Sequence, residues 1–511
     1  MSRSRVVIVG GGFAGLSAAK TLADKPWHRA RVEVTVVDRR NHHVFTPFLY
    51  QVATALLEPS GAAQPIRSLI RKLPNVDFRL AQVTGFDATA RRVHTDQGPV
   101  PYDYLILAAG AVNDYFDNAG IATHSLGLND VGEALALRNH LLACFEAANW
   151  AHDHARRARL LTFAVVGGGP TGVEFSAALA VLIKQMVKRD FPGIGPGEPR
   201  IVLIEASEAP LGSFAPELRK AAVASLRDKG IEISSGAKVA DVDQDGLTIE
   251  GDRRIEAATV VWAGGVRANA LAQALPLTGS HSRVIVDPTL QIPRQPEVFV
   301  VGDMAQIPGG AGPLPMLAQV AIQSGRHAGR SVLALCAGEV AKPFRYRDLG
   351  TMATVGRGDA VAQIGSLRLS GLMGWMAWLG VHIARTAGPE AKATVILGWV
   401  SGFVFADRPV RIITGPDRSD PATRPELAGG ATRTAREPSP PARVDLPSVN
   451  VGNANEFGRI AALAWWTQDL PGRRPAHVPP PGAVKRIRAR VVKLRHEAFG
   501  IRSQTEDDYR T

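Results

Sequence analysis

Residues 5–15 read RVVIVGGGFAG, and residues 161–172 read LTFAVVGGGPTG. Each begins as a short apolar run, largely β-branched, the pattern of a buried strand, and stops at three glycines. Each then passes into an apolar helix pattern. In the first stretch Gly10, Gly12 and Gly15 form GxGxxG, with Gly11, Phe13 and Ala14 completing the loop. The leading glycine permits a tight turn, the middle one lets the backbone approach a pyrophosphate, and the last lets the helix close on the strand. The helix N-terminus offers free N–H groups and a positive dipole to phosphates. Asp38 ends the next apolar run, residues 32–37, where a carboxylate can hold both hydroxyls of a ribose. A glycine-rich structural turn would leave that placement of Asp38 to chance.

The second stretch repeats the pattern with Gly167, Gly169 and Gly172, interleaved with Gly168, Pro170 and Thr171. Glu205 ends the following run, residues 201–204, after an insertion rich in Gly and Pro at 192–199. An acid there repels a 2′-phosphate, and no arginine immediately follows it, so NAD is favoured over NADP. The plainer alternative for Glu205 is a solvated carboxylate at a strand end. Two dinucleotide sites in one chain point past a simple NAD dehydrogenase. With one site for FAD and one for NAD(P)H, hydride transfer to the flavin is the natural chemistry.

Further buried runs at 102–109, 259–263 and 298–301 alternate with helical patterns, among them a helix-rich link at about 130–158. Such alternation implies α/β architecture, parallel sheets joined by right-handed crossovers. The restart at residue 161 implies two Rossmann-like dinucleotide-binding domains, the second inserted in the first. Residues 344–414 read as a C-terminal α+β unit with strongly apolar segments. Beyond residue 415 the chain is rich in Pro, Arg, Ser, Thr and Ala, the composition of disorder.

The length, 511 residues, allows several domains. The formal charge of +12 suits nucleic acid, an anionic membrane face or an anionic cofactor, and charge alone does not choose. Cys144 and Cys336 are the only cysteines and form no CxxC pair, which argues against a zinc site and a redox disulfide. The start of the chain lacks the apolar core of a signal peptide, and no uncharged run reaches spanning length. A cytosol-facing protein with structural thiols is expected.

The chain resembles the type II NADH dehydrogenases, the single-subunit, non-proton-pumping NADH:quinone oxidoreductases. The resemblance covers about residues 4–414. It rests on NHHVFTPFLYQVATALLEP (41–59), GGGPTGVEFSAALA (167–180), VVWAGGV (260–266), VFVVGDMA (298–305), LAQVAIQSGRHA (317–328) and DLGTMATVGRGDAVA (348–362). It implies that the first loop holds FAD and the second NADH. It also implies that the chain returns to the FAD domain at the strand before Gly302 and Asp303, giving an FAD domain at 1–130 and 285–343 and an NAD(H) domain at 131–284. Asp303 would bond the ribityl and phosphate region, Ala109 and Gly110 would line the FAD, and Gly264 would line the NAD. Ala318 and Gln319 would face the flavin pyrimidine, where the helix dipole stabilises negative charge. Gln319 and Gln323, four apart on one helix face, would border the quinone and donate hydrogen bonds to its carbonyl. Without the surrounding motif they would read as two exposed helix glutamines. Glu174 would assist proton delivery to the quinone, as a buried carboxyl of raised pKa can. Its plainer reading is a first-turn acid favoured by the helix dipole. The AAGA turn at 108–111 departs from the commoner ATG, and the tail is much longer than the family core.

Two apolar segments, 370–384 and 393–406, are short for spanning helices. Trp375, Trp378 and Trp399 suit headgroup level, and flanking Arg and Lys residues favour an anionic surface, so a monotopic anchor is expected. A basic amphipathic helix at about 483–499 points to lipid headgroups or an acidic partner, or to a solvated helix packed on its own enzyme. The implied enzyme is peripheral on the cytoplasmic side, needs no metal or nucleic acid, and is expected to dimerise through its C-terminal region, as many relatives do. Competing functions are NADH-dependent reduction of a non-quinone acceptor and slow-turnover redox sensing.

Overall fold

The computed structural model describes residues 3–275, 278–310, 312–385, 392–393, 395–397, 399 and 411–414, all within the unit Met1–Gly429. The expected tail features, and most of the second apolar segment, lie outside the described residues.

The chain opens with strand β1 (Ser4–Val9), helix α1 (Phe13–Ala23) and strand β2 (Val32–Asp38). After a short helix α2 (Leu49–Ala53) come β3 (Val76–Leu80) and β4 (Tyr104–Leu107). Strand β5 (Ala111–Asn113) and the long helix α3 (Val131–Trp150) lead to a second set of elements. These are β6 (Thr162–Val166), α4 (Pro170–Arg189), β7 (Arg200–Glu205), β8 (Ile231–Ser235) and β9 (Thr259–Trp262). Strand β10 (Val266–Ala268) pairs antiparallel with β5, so the chain leaves the second set beside the point where it entered. It then adds β11 (Gln291–Ile292) and β12 (Gln295–Val300) to the first sheet and forms α5 (Ala318–Leu335). Strands β13 (Thr351–Gly356), β14 (Asp359–Ile364) and β15 (Leu367–Leu369) make an antiparallel sheet, followed by α6 (Gly371–Arg385).

The first sheet has the order β11-β12-β4-β1-β2-β3, parallel except at β11, and the second the wholly parallel order β8-β7-β6-β9. In both, the chain runs outward from one strand and returns on its other side. A crevice opens at the carboxyl end of that strand, where α/β sheets bind ligands. The two glycine loops occupy those two points. β6 is buried at every residue, Thr162 to Val166, as a strand covered by helices on both faces must be.

Candidate active site

The two loops are built alike. Gly10 and Gly167 each have φ +106°, and a Cβ there would lie 2.3 Å from the Ala108 carbonyl oxygen and 2.2 Å from that of Ala263, respectively. Gly15 and Gly172 would each put a Cβ 1.9 Å from the carbonyl oxygen of the turn glycine, so only glycine lets the helix close on its strand. Gly12 and Gly169, by contrast, meet nothing within 4 Å, which leaves an open cradle at each helix N-terminus. The strand-end acids also match. Asp38 accepts from Gly11 N at 2.6 Å and Arg40 N at 2.8 Å. Glu205 accepts from Gly168 N, and from Ser207 N at 2.7 Å. Each carboxylate is thus fixed against its own glycine loop.

A cavity of about 620 Å³ runs from the first loop, past Asp38, Ala109 and Gly110, to Gly302, Asp303, Ala318 and Gln319. Its size suits a large bound molecule. Pro170, Thr171 and Glu174, from the first turns of α4, share the same wall, so the second loop's helix opens into the first loop's cavity. Gly15, Gly167, Gly168, Gly169, Gly172, Glu205, Gly264 and Gln323 do not line it. Burial pushes the Asp303 carboxyl up to about 6, against the pull of the Arg283 guanidinium. The GD turn is fixed to α5 by Gly302 N donating to Ser324 Oγ at 3.0 Å.

Glu174 is only 8% exposed, and burial pushes its carboxyl up to about 8. It is therefore protonated at neutral pH. Thr354 N on β13 donates to its Oε1 at 3.1 Å. The Trp378 indole N–H lies against the carboxyl and, with Thr354, favours its charged form against the larger effect of burial. Behind Thr354 a polar chain continues through Tyr50 Oη at 3.0 Å and Gln51 Nε2 at 3.1 Å, and Trp399 Nε1 donates to Gln51 Oε1 at 2.8 Å. His382 stacks on Trp378 at 4.2 Å, and burial lowers it to about 4, so it is neutral.

The glutamines take up an unexpected task. Gln319 Oε1 accepts from Leu349 N at 3.0 Å, and its Nε2 donates to Gly350 O at 3.2 Å. Gln323 clasps Arg347, accepting from its N at 3.0 Å and donating to its O at 2.8 Å. Both amides thus staple the segment 347–350 to α5, and only Gln319 reaches the cavity. The tryptophans correct another expectation. Trp378 is 2% exposed, and Trp375 and Trp399 are half-buried, turned inward against Phe48 and α4. The outward face of α6 carries Leu372, Met373 and Met376 instead.

Residues 4–325 match the pyridine nucleotide-disulphide oxidoreductase family. The type II NADH:quinone oxidoreductase Ndh of Mycobacterium tuberculosis is 41% identical over 433 residues, 81% of this chain and 90% of that protein. A second from that organism, NdhA, is 39% identical over 431 residues, with the same shares covered. The chain belongs to the type II NADH:quinone oxidoreductases. In fold it is similar to NDH2 of Plasmodium falciparum, solved in complex with NADH, with a TM-score of 0.74 and 19% identity over 80% of this chain and 100% of that one.

The broad family's name includes a disulphide, but this type II oxidoreductase has none to offer. Cys144 and Cys336 are both free, and burial raises the Cys144 thiol to about 11. The residues that sequence reasoning missed in this site are Tyr50, Gln51, Thr354 and His382. The Trp378–His382 spacing of four was a visible signal of a shared helix face. The Tyr50–Thr354 contact, 304 positions apart, had no local signal.

Proposed function

We propose that the chain oxidises NADH and reduces a membrane quinone without pumping protons, through two nucleotide sites that meet in one cavity. The carrying observation is that Pro170, Thr171 and Glu174 share a wall with the first glycine loop and Asp303. The open cradle at Gly12, the Asp38 carboxylate and the cavity volume fit a flavin dinucleotide. Gly10, Gly11, Gly12, Phe13, Ala14, Gly15 and Asp38 would hold it, with Ala109, Gly110, Gly302, Asp303, Ala318 and Gln319 along its length. FAD, when bound, accepts the hydride of NADH and passes two electrons on to the quinone. Gly167 to Gly172, Glu205 and Gly264 would bind the NADH, and Glu205 would refuse a 2′-phosphate. Glu174, protonated at neutral pH, supplies a proton to the quinone from the wall of that cavity. Gln319 and Gln323 hold the segment 347–350 that walls the quinone end. In this reading 1–130 with 285–343 is the flavin domain, 131–284 the nicotinamide domain, and 344–414 the membrane and dimer region.

No helix among the described residues is long and apolar enough to cross a membrane. We assign attachment, on the cytoplasmic side, to the apolar outward face of α6 lying on an anionic lipid surface. Steady-state NADH oxidation with and without a soluble quinone analogue tests the function. Turnover should rise at least tenfold with the quinone, and flavin bleaching by NADH without any quinone-dependent turnover would refute the assignment.

A further inference from the structure

The stretch NHHV at 41–44 carries a histidine that the site described above does not use. His43 sits on the short strand His42–Val44, which pairs antiparallel with Ala63–Pro65. It is 6% exposed and does not line the main cavity, whereas the loop residues Gly10 to Ala14 all do. The ring therefore stands behind the first glycine loop. It meets the loop at two points. Nδ1 lies 3.1 Å from the carbonyl oxygen of Gly11, and the ring meets that of Phe13 edge-on at 4.9 Å. A carbonyl has no hydrogen to give, so Nδ1 carries the hydrogen and donates. Burial lowers the imidazole to about 4, so the ring is neutral at neutral pH.

Gly11 is thus held at both of its backbone groups. Asp38 takes its N–H at 2.6 Å, and His43 takes its carbonyl. A trans peptide is planar, with C=O and N–H on opposite edges, and no described peptide is cis. Fixing the Gly11 carbonyl towards His43 therefore turns the Gly12 N–H the other way, to the cavity side, where the cradle is open.

The second loop reaches the same arrangement with different atoms. Gly168 gives its N–H to Glu205, and its carbonyl accepts from Leu211 N at 2.8 Å. Leu211 has φ +57°, the left-handed region in which a leucine is strained. One loop thus engages a buried side chain, and the other a strained residue, on the equivalent carbonyl. What the two have in common is the orientation of the peptide that follows.

We infer that His43 is a positioning residue for the flavin dinucleotide: by holding the Gly11 carbonyl it aims the Gly12 N–H at the pyrophosphate before the cofactor arrives. This rests on the assignment of FAD to the first loop. A loop peptide free to rotate loses that freedom on binding, whereas a pinned one has none left to lose. His43 itself touches no part of the flavin's cavity.

His43→Phe tests the inference, since it keeps a buried ring and removes the donor. His43→Asn restores a donor, because its amide nitrogen takes the place of Nδ1 on Cγ. The first readout is FAD release from the loaded full chain, followed by flavin fluorescence on dilution. The second is the phosphorus NMR signal of the bound pyrophosphate. In His43→Phe release should be at least tenfold faster, a change of about 1.4 kcal/mol, within the range of one lost hydrogen bond. The pyrophosphate signals should shift. His43→Asn should release FAD within threefold of the parent and return those signals towards the parent positions. The NADH concentration for half-maximal flavin bleaching should stay within twofold in both, because Gly168 keeps its own partners. His43→Leu carries the expectations of His43→Phe should that variant fail to fold. Parent-like release from a folded variant without the donor overturns the inference. Release from His43→Asn as fast as from His43→Phe also overturns it, since the bulk of the ring and not its donor would then decide. Weakened NADH binding with FAD held as in the parent would instead overturn the flavin assignment of the first loop.

Discussion

Replacing Glu174 by Gln should make the protein more stable while slowing it. The folded carboxyl titrates at about 8, against an ordinary value of 4.5. Between those values the folded state holds a proton that the unfolded state has released, so wild-type stability falls as pH rises. The slope is about 1.4 kcal/mol per pH unit for one proton. Gln keeps an oxygen for the Thr354 N–H but does not titrate. Its advantage over wild type is therefore about 1 kcal/mol at pH 5 and about 3 kcal/mol at pH 7. For a body of roughly 400 residues, at about 2.1 cal/mol/K per residue, that is a Tm gap growing from about 1 to about 4 °C. Thermal unfolding of both flavin-loaded proteins, followed by circular dichroism from pH 5 to pH 7, measures the gap. Stopped-flow on the same samples should show quinone reduction slowed at least tenfold and flavin reduction by NADH barely changed. A gap that stays constant across this pH range would show that the carboxyl does not titrate as its burial requires.

On the proposed assignment, the paired loops separate the two nucleotides. Gly15→Ala, whose Cβ would lie 1.9 Å from Gly10 O, should purify without flavin. Gly172→Ala, with the same clash against Gly167, should stay yellow but need at least tenfold more NADH for half-maximal bleaching. Gln323→Ala removes both bonds to Arg347, about 1–2 kcal/mol, and should raise KM for the quinone without altering flavin reduction by NADH. Leu372, Met373 and Met376 are 61%, 62% and 57% exposed on α6. Changing all three to Ser should weaken co-sedimentation with anionic liposomes about a hundredfold, taking about 1 kcal/mol for each half-buried side chain. Turnover with a soluble quinone should persist.

The glycine loops were legible because each residue in them answers a local demand: a positive φ, a close helix, an acid at a strand end. Local demands leave marks within some forty positions, and the repeat of the pattern doubled the signal. The setting of Glu174 left no such mark. Its partners Thr354 and Trp378 arrive from strands and helices about 200 positions away, and only the family resemblance pointed to the residue. The α6 segment is apolar nearly all round, so its periodicity does not say which face turns inward. Packing decides this, with Gly374 set so closely on Ala360 that a Cβ would lie 2.3 Å from its carbonyl oxygen. That contact turns Trp378 into the core and the methionines out. The glutamine amides were read as free donors because the stretch 347–350, which consumes them, has no regular structure to anticipate.

The adjacent strands β5 and β10 carry the chain into and out of the second sheet side by side. By connectivity alone the coenzyme half is a cassette, joined at one point and open to exchange. The side chains forbid it. Phe48, Phe175, Val355 and Trp378 belong to one continuous apolar body, with contributions from the first half, the second half and the C-terminal sheet. A transplanted cassette would have to rebuild that common wall on every side. On this scaffold a change of electron donor therefore asks less of the core when made by substitution at the strand end around Glu205 than by exchange of the whole domain.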